Sequence, residues 1–79
     1  MGCKVFYVTF KVKVGDEVTQ EAEYIETDER GTEQDSIETM QSIIKEYYRG
    51  STTKLRGTEL IVYDEGKIVR YFDFKAEEV

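Results

Sequence analysis

Residues 4–14 read KVFYVTFKVKV. In an extended chain Phe6, Val8, Phe10, Val12 and Val14 fall on one side, and Val5, Tyr7, Thr9, Lys11 and Lys13 on the other. Alternation of period two, built from β-branched and aromatic residues, marks a half-buried strand. Gly15-Asp16 supplies a turn, and residues 18–27 return as a second strand. A two-residue loop would set Val12 beside Thr19. A three-residue loop over 15–17 pairs Val14 with Val18, Phe10 with Ala22 and Val8 with Tyr24, and puts Lys11 opposite Glu21. The apolar pairs and the opposite charges favour the three-residue loop.

The polar stretch DERGTEQ, residues 28–34, connects this hairpin to a helix. Asp35 is a good N-cap, and Glu38 three residues on completes a capping-box pattern. Ile37, Met40, Ile43, Ile44, Tyr47 and Tyr48 follow at helical spacing as one apolar stripe. Arg49 suits the carbonyl end of the dipole, and Gly50 stops the helix as a left-handed residue. The spacing therefore predicts a helix over 35–49. Residues 51–57, STTKLRG, read as a loop and 58–64 as a strand. Asp64-Glu65-Gly66 turns the chain into a last strand over 67–75. That turn pairs Tyr63 with Lys67, Ile61 with Val69 and Glu59 with Tyr71. Leu60, Val62, Ile68, Phe72 and Phe74 then share the inner face with Arg70 among them, and the tail AEEV frays.

These elements make one α+β domain over residues 1–79: a ββαββ chain whose four-stranded sheet carries a single helix on one face. The first and last strands are the most hydrophobic and belong in the middle. The spatial order is then 2-1-4-3 with a parallel central pair, a β-grasp-like arrangement; a fully antiparallel 2-1-3-4 is the alternative. The element order resembles that of small immunoglobulin-binding bacterial domains and of ubiquitin-like proteins. The resemblance stops at architecture. Ubiquitin-like carriers end in Gly-Gly, whereas this chain ends in Glu-Glu-Val, and the β-grasp ferredoxins need four cysteines. A shared fold implies no shared function.

Composition excludes much chemistry. The 79 residues include no His, no Trp, no Pro and one Cys, Cys3. Without His the commonest general base and metal ligand is missing. One Cys forms no intramolecular disulfide and no Cys-rich zinc or iron–sulfur site. Secreted domains this small usually carry disulfides, so an intracellular, cytoplasmic location is expected. No window approaches the length of a membrane span, and no signal peptide is read. Met1-Gly2-Cys3 begins like a dual-acylation signal, but the sixth position holds Phe6 where Ser or Thr is wanted. No carboxylate pair stands out by spacing, no glycine-rich phosphate loop precedes a helix, and Arg30 interrupts the acidic stretch 28–35 where calcium would need oxygen. No cofactor, metal or enzymatic activity is expected.

Three surfaces remain as candidates. With the helix over the other side, the open sheet face would carry Val5, Tyr7, Ile25, Ile61, Tyr63, Val69 and Tyr71, a patch suited to a protein interface or a homodimer. Residues 16–38 hold ten acids against Arg30 in a chain of net charge −6. Within them Glu17, Glu21, Glu23, Glu26, Asp28 and Glu29 form an acidic surface that suits a basic partner. Lys45, Arg49, Lys54 and Arg56 form a basic cluster that suits an anion or nucleic acid. The strand 59–63 would also offer an open edge. The expected function is a non-enzymatic protein-interaction module that self-associates through the open sheet face. Size, acidity and missing catalytic residues also resemble the small inhibitors of phages and mobile elements, such as anti-CRISPR proteins, which would dock the acidic surface on a basic nucleic-acid-binding protein. A nucleic-acid accessory role through the basic cluster is the third possibility.

Overall fold

Residues 51–57 do not form a loop. They hold a strand, and that strand changes the topology. The computed structural model describes residues 2–79. In chain order it contains β1 (Cys3–Val14), β2 (Glu17–Asp28), α1 (Glu33–Tyr47), β3 (Thr52–Arg56), β4 (Glu59–Asp64) and β5 (Lys67–Glu78). The strands form one five-stranded sheet in the order β2-β1-β5-β4-β3, with every neighbouring pair antiparallel. This corrects the four-stranded ββαββ expectation. The first and last strands are indeed neighbours, but they run antiparallel rather than parallel. The reason is parity. Each hairpin reverses the chain, so an extra strand between α1 and β4 inverts the direction of both strands that follow. A β-grasp with a parallel centre becomes a wholly antiparallel sheet, and α1 carries the chain from the β2 edge to the β3 edge.

Three hairpins close with two-residue loops: Gly15-Asp16, Gly57-Thr58 and Glu65-Gly66. Gly15 and Gly57 have φ of +61° and +63°, so glycine stands first in each loop, as a type II′ turn requires. Glu65 and Gly66 both have positive φ, +50° and +82°, the type I′ pattern. These turns match the right-handed twist of the flanking strands, and that match overrides the side-chain pairs that favoured longer loops. The register is therefore Val14 with Glu17, Lys11 with Gln20 and Phe10 with Glu21 in the first hairpin, and Asp64 with Lys67 in the last. Each differs by one residue from the expectation, and a one-residue slip turns a strand's side chains to the opposite face.

The inner face follows. Phe6, Val8 and Phe10 from β1, Ile25 from β2, Leu60 and Val62 from β4, and Val69 and Tyr71 from β5 pack against Met40 and Ile44 of α1. β5 needs a bulge to stay amphipathic. Its ladder to β1 shifts between Thr9 and Lys11, and Asp73 adopts φ +58°. Before the bulge Val69 and Tyr71 point inward; after it Phe74 and Ala76 pack on the core. The strand runs through the tail expected to fray, and the Val79 N–H donates to the Val5 carbonyl at 2.8 Å.

The helix starts two residues earlier than predicted. Thr32 is the N-cap, its hydroxyl accepting from the Asp35 N–H, while the Asp35 carboxylate accepts from the Thr32 N–H at 2.9 Å. Asp35 thus fills the third position of the capping box rather than the first. The helix also ends two residues earlier than predicted, at Tyr47, and the left-handed Gly50, φ +98°, lies in the turn beyond the Tyr48 cap rather than directly after the helix. The buried Gln41 Nε2 donates to the Thr58 carbonyl at 3.2 Å and ties α1 to the β3–β4 turn.

Candidate interaction surfaces

The sheet has one face under α1 and one face open. Strand alternation and register assign each sequence-picked residue to one or the other. Val5, Tyr7, Ile61 and Tyr63 lie on the open face, at odd positions of β1 and β4 opposite the inward-facing Phe6, Val8, Leu60 and Val62. Ile25, Val69 and Tyr71 do not. All three are core residues, at 5, 7 and 9% exposure. The expected seven-residue patch is therefore not assembled, because both hairpins that position it are shifted by one residue.

A different surface takes its place. Tyr24 stands opposite Tyr7 on the open side, ring centroids 5.1 Å apart, and is 67% exposed. At the other end Ile68 pairs with Tyr63; both are nearly half exposed. Ile61 lies nearby on this face yet is buried, flanked across the ladder by Lys54 and Arg70. Such long side chains cover apolar surface with their stems while their charges stay in water. Phe72, expected in the core, is half-buried on the open face opposite Lys11.

Between the two apolar ends runs a basic band. Lys11, Lys13, Lys54, Arg56, Arg70 and Lys75 all project to the open side of the sheet. Lys11 pairs with Asp73 at 3.2 Å, and Arg70 lies 3.7 Å from Glu59. Lys13, Lys54, Arg56 and Lys75 make no ion pair among the described residues. Glu26, Asp28 and Glu77 are the other acids on this side. The face thus holds six cations and five acids in a chain of net charge −6. The sequence reading placed Lys11 and Lys13 on this face; it missed Arg70, put on the inner face by the one-residue register shift, and Lys75.

The predicted basic cluster is split by the sheet. Lys54 and Arg56 belong to the open face, whereas Lys45 lies on α1 beside Leu55, and Arg49 follows the helix, pairing with Glu46 at 3.2 Å. The acidic set is divided between the two faces as well, Glu17, Glu21 and Glu23 on the helix side and Glu26 and Asp28 on the open side. Glu17, Glu21, Glu23, Glu26 and Asp28 are all exposed on β2, with Glu29 in the turn beyond. The strand 59–63 is not an edge, since β3 pairs with it; the edges are β2 and β3.

On the helix side an open groove of ≈ 490 Å³ lies between β2 and the second half of α1. Its floor includes Phe10, Val12 and Tyr71, and the hydroxyls of Tyr48 and Tyr71 are 2.7 Å apart. Burial, and then the bond to Tyr48, push the Tyr71 hydroxyl above the ordinary tyrosine range. At the chain's start the exposed Cys3 thiol donates to the Glu26 carboxylate at 3.2 Å. That hydrogen bond and the carboxylate's charge raise the thiol pKa, so the group is held as a poorly nucleophilic thiol. The lipidation pattern begins at Met1, outside the described residues. Among the described residues no group of acids and Cys3 converges as a metal site, and no helix is long and apolar enough to cross a membrane.

No protein-family model, curated protein or solved structure matches the chain.

Proposed function

We propose that the protein is a non-enzymatic module that binds another protein through the open face of its sheet. The observation that carries this reading is the basic band, flanked by the Tyr7–Tyr24 pair at one end and Tyr63 and Ile68 at the other. Tyrosine and arginine are enriched at protein interfaces because they offer large area with polar handles. The partner surface that fits is acidic at its centre and apolar at its margins. A symmetric face-to-face homodimer fits less well, since a two-fold axis through the centre of the face would set basic band against basic band.

The test is affinity capture with the wild-type chain and with Tyr7→Ser/Lys13→Glu, both positions being exposed. A protein retained by the wild type, lost with the variant and insensitive to nuclease supports the reading. A wild-type dimer that the variant abolishes in light scattering would make the partner a second copy. Equal capture by both chains overturns the open face as the site.

A second reading has one specific observation in its favour. All six cations, with Phe72 and the three tyrosines Tyr7, Tyr24 and Tyr63, share one face of the sheet, the combination that holds single-stranded nucleic acid by phosphate contact and stacking. Release of all captured material by nuclease, and steep loss of binding with salt, would select it.

A further inference from the structure

We infer that the outer edge of β2, with the groove beside it, is a docking site for an extended basic segment of another protein, added to the sheet as a sixth strand. The groove lies on the other side of the sheet from the basic band, while the strand edge borders both faces and shares Tyr24 with the open face.

β2 is an edge strand of 12 residues, and its ladder to β1 runs through all twelve pairs without a shift. Its outer side presents a regular row of backbone donors and acceptors, unlike the five-residue β3 at the opposite edge. Edges of this length are usually protected by charged side chains, lysine above all, by proline or by a bulge. β2 has no lysine, proline or bulge, and its protection is acidic charge alone. It carries five acids and no base: Glu17, Glu21, Glu23, Glu26 and Asp28. Two β2 edges brought together would oppose acid to acid, which disfavours pairing with a second copy. The same charges attract a strand rich in lysine or arginine.

The groove says how such a strand would be read. Side chains of an added strand alternate between the two faces of the sheet. Those on the helix side would lie over the groove, where Glu21 and Glu23 form one wall. The other wall is Ile43 and Tyr47, the latter 82% exposed. A lysine or arginine there lays its stem along Ile43 and the Tyr47 ring and brings its charge to Glu21 or Glu23. Residues on the other face would meet Ala22 and Tyr24. Backbone pairing supplies affinity and the acidic, aromatic groove supplies selectivity, the division of labour of strand addition.

The experiment titrates the full isotope-labelled chain with a synthetic peptide of about eight residues that alternates lysine and valine. The glutamate–valine peptide of equal length is the control. Expected are saturable binding of the lysine peptide, and protection of alternate β2 amides from hydrogen exchange. Affinity should fall about tenfold or more in Glu21→Lys/Glu23→Lys, and stay within about twofold in Lys13→Glu/Lys54→Glu. Tyr47→Ala, at a position too exposed to affect folding, should also weaken binding. Absence of binding, equal affinity for the glutamate peptide, or shifts confined to the open face without β2 protection overturns the proposal. So does a dimer that protects β2 amides with no peptide present, which would make a second copy the occupant.

Discussion

Ile68 and Val69 are adjacent apolar residues whose roles depend on the length of one turn. With Glu65-Gly66 as a two-residue loop, Val69 is 7% exposed in the core and Ile68 is 48% exposed on the open face. Val69→Ala removes two buried carbons, worth about 1.6 kcal/mol by transfer. A residual cavity under α1 brings the total to roughly 2–3 kcal/mol. Ile68→Ala removes three carbons, but half in water and with no enclosed cavity, so its loss is about 1 kcal/mol. Urea unfolding followed by circular dichroism measures both, and an unchanged slope with denaturant licenses the comparison. The wild type should exceed either variant, with Val69→Ala the weaker by about 1–2 kcal/mol. A larger loss at Ile68, in the roughly 2–5 kcal/mol range of a buried isoleucine truncated to alanine, would refute the register. The face assignments of Arg70 and Phe72 would go with it.

Three further outcomes follow from the geometry. Glu65 pays the left-handed penalty at φ +50°, and Glu65→Asn makes the preferred Asn-Gly type I′ turn, so the midpoint of thermal unfolding should rise by an amount equivalent to about 1 kcal/mol. Thr32→Ala removes the hydroxyl that accepts from the Asp35 N–H and should lower stability by about 1 kcal/mol in the same assay. Tyr71→Phe breaks the hydroxyl pair with Tyr48 and should cost about 1 kcal/mol at neutral pH. Because the folded Tyr71 hydroxyl titrates above its unfolded value of about 10, its contribution is complete below that pH and declines as pH rises toward the folded value. Urea titrations from pH 8 to 11 should therefore show stability falling above about pH 10, with a shallower fall in Tyr71→Phe.

Much of the fold is written locally. The alternation of Phe6, Val8 and Phe10 gives the inner face of β1, and the spacing of Met40 and Ile44 gives that of α1. What sequence patterns left ambiguous was parity. Thr52 to Arg56 is short, exposed on most of its length and rich in polar residues, so hydrophobicity alone marks it as a loop. The signal that identifies it is the turn after it: Gly57-Thr58 is a glycine-first pair of the kind that closes a two-residue hairpin. Gly15-Asp16 carries the same signal, and Glu65-Gly66 a weaker one. Charge pairing pointed the other way, since Lys11 opposite Glu21 looks favourable on paper. A surface ion pair contributes a few tenths of a kcal/mol to about 1. A turn whose twist opposes that of its strands must distort every pair beyond it. In β5 no single register reproduces the observed face, because the bulge at Asp73 moves the inward positions from Val69 and Tyr71 to Phe74 and Ala76.

The same parity governs what the charge means. A net charge of −6 argues against an anionic partner only if the charge is spread over the surface. Here the sheet separates Glu21 and Glu23, on its helix side, from Lys13 and Arg70 on its open side. At physiological ionic strength screening acts over about 8 Å, so a partner on the open face meets the basic band and little of the acidic side. β1 alone demonstrates the separation: its inward residues are Phe6, Val8 and Phe10, while Lys11 and Lys13 project outward. Its neighbour β2 places only Glu26 and Asp28, near its end, on the open side, and Glu17, Glu21 and Glu23 on the helix side. One-residue changes of register would move these acids onto the lysines' face and cancel the band. The two-residue turns that set the core therefore also hold the two charged surfaces apart, and each surface can select a partner of the opposite sign.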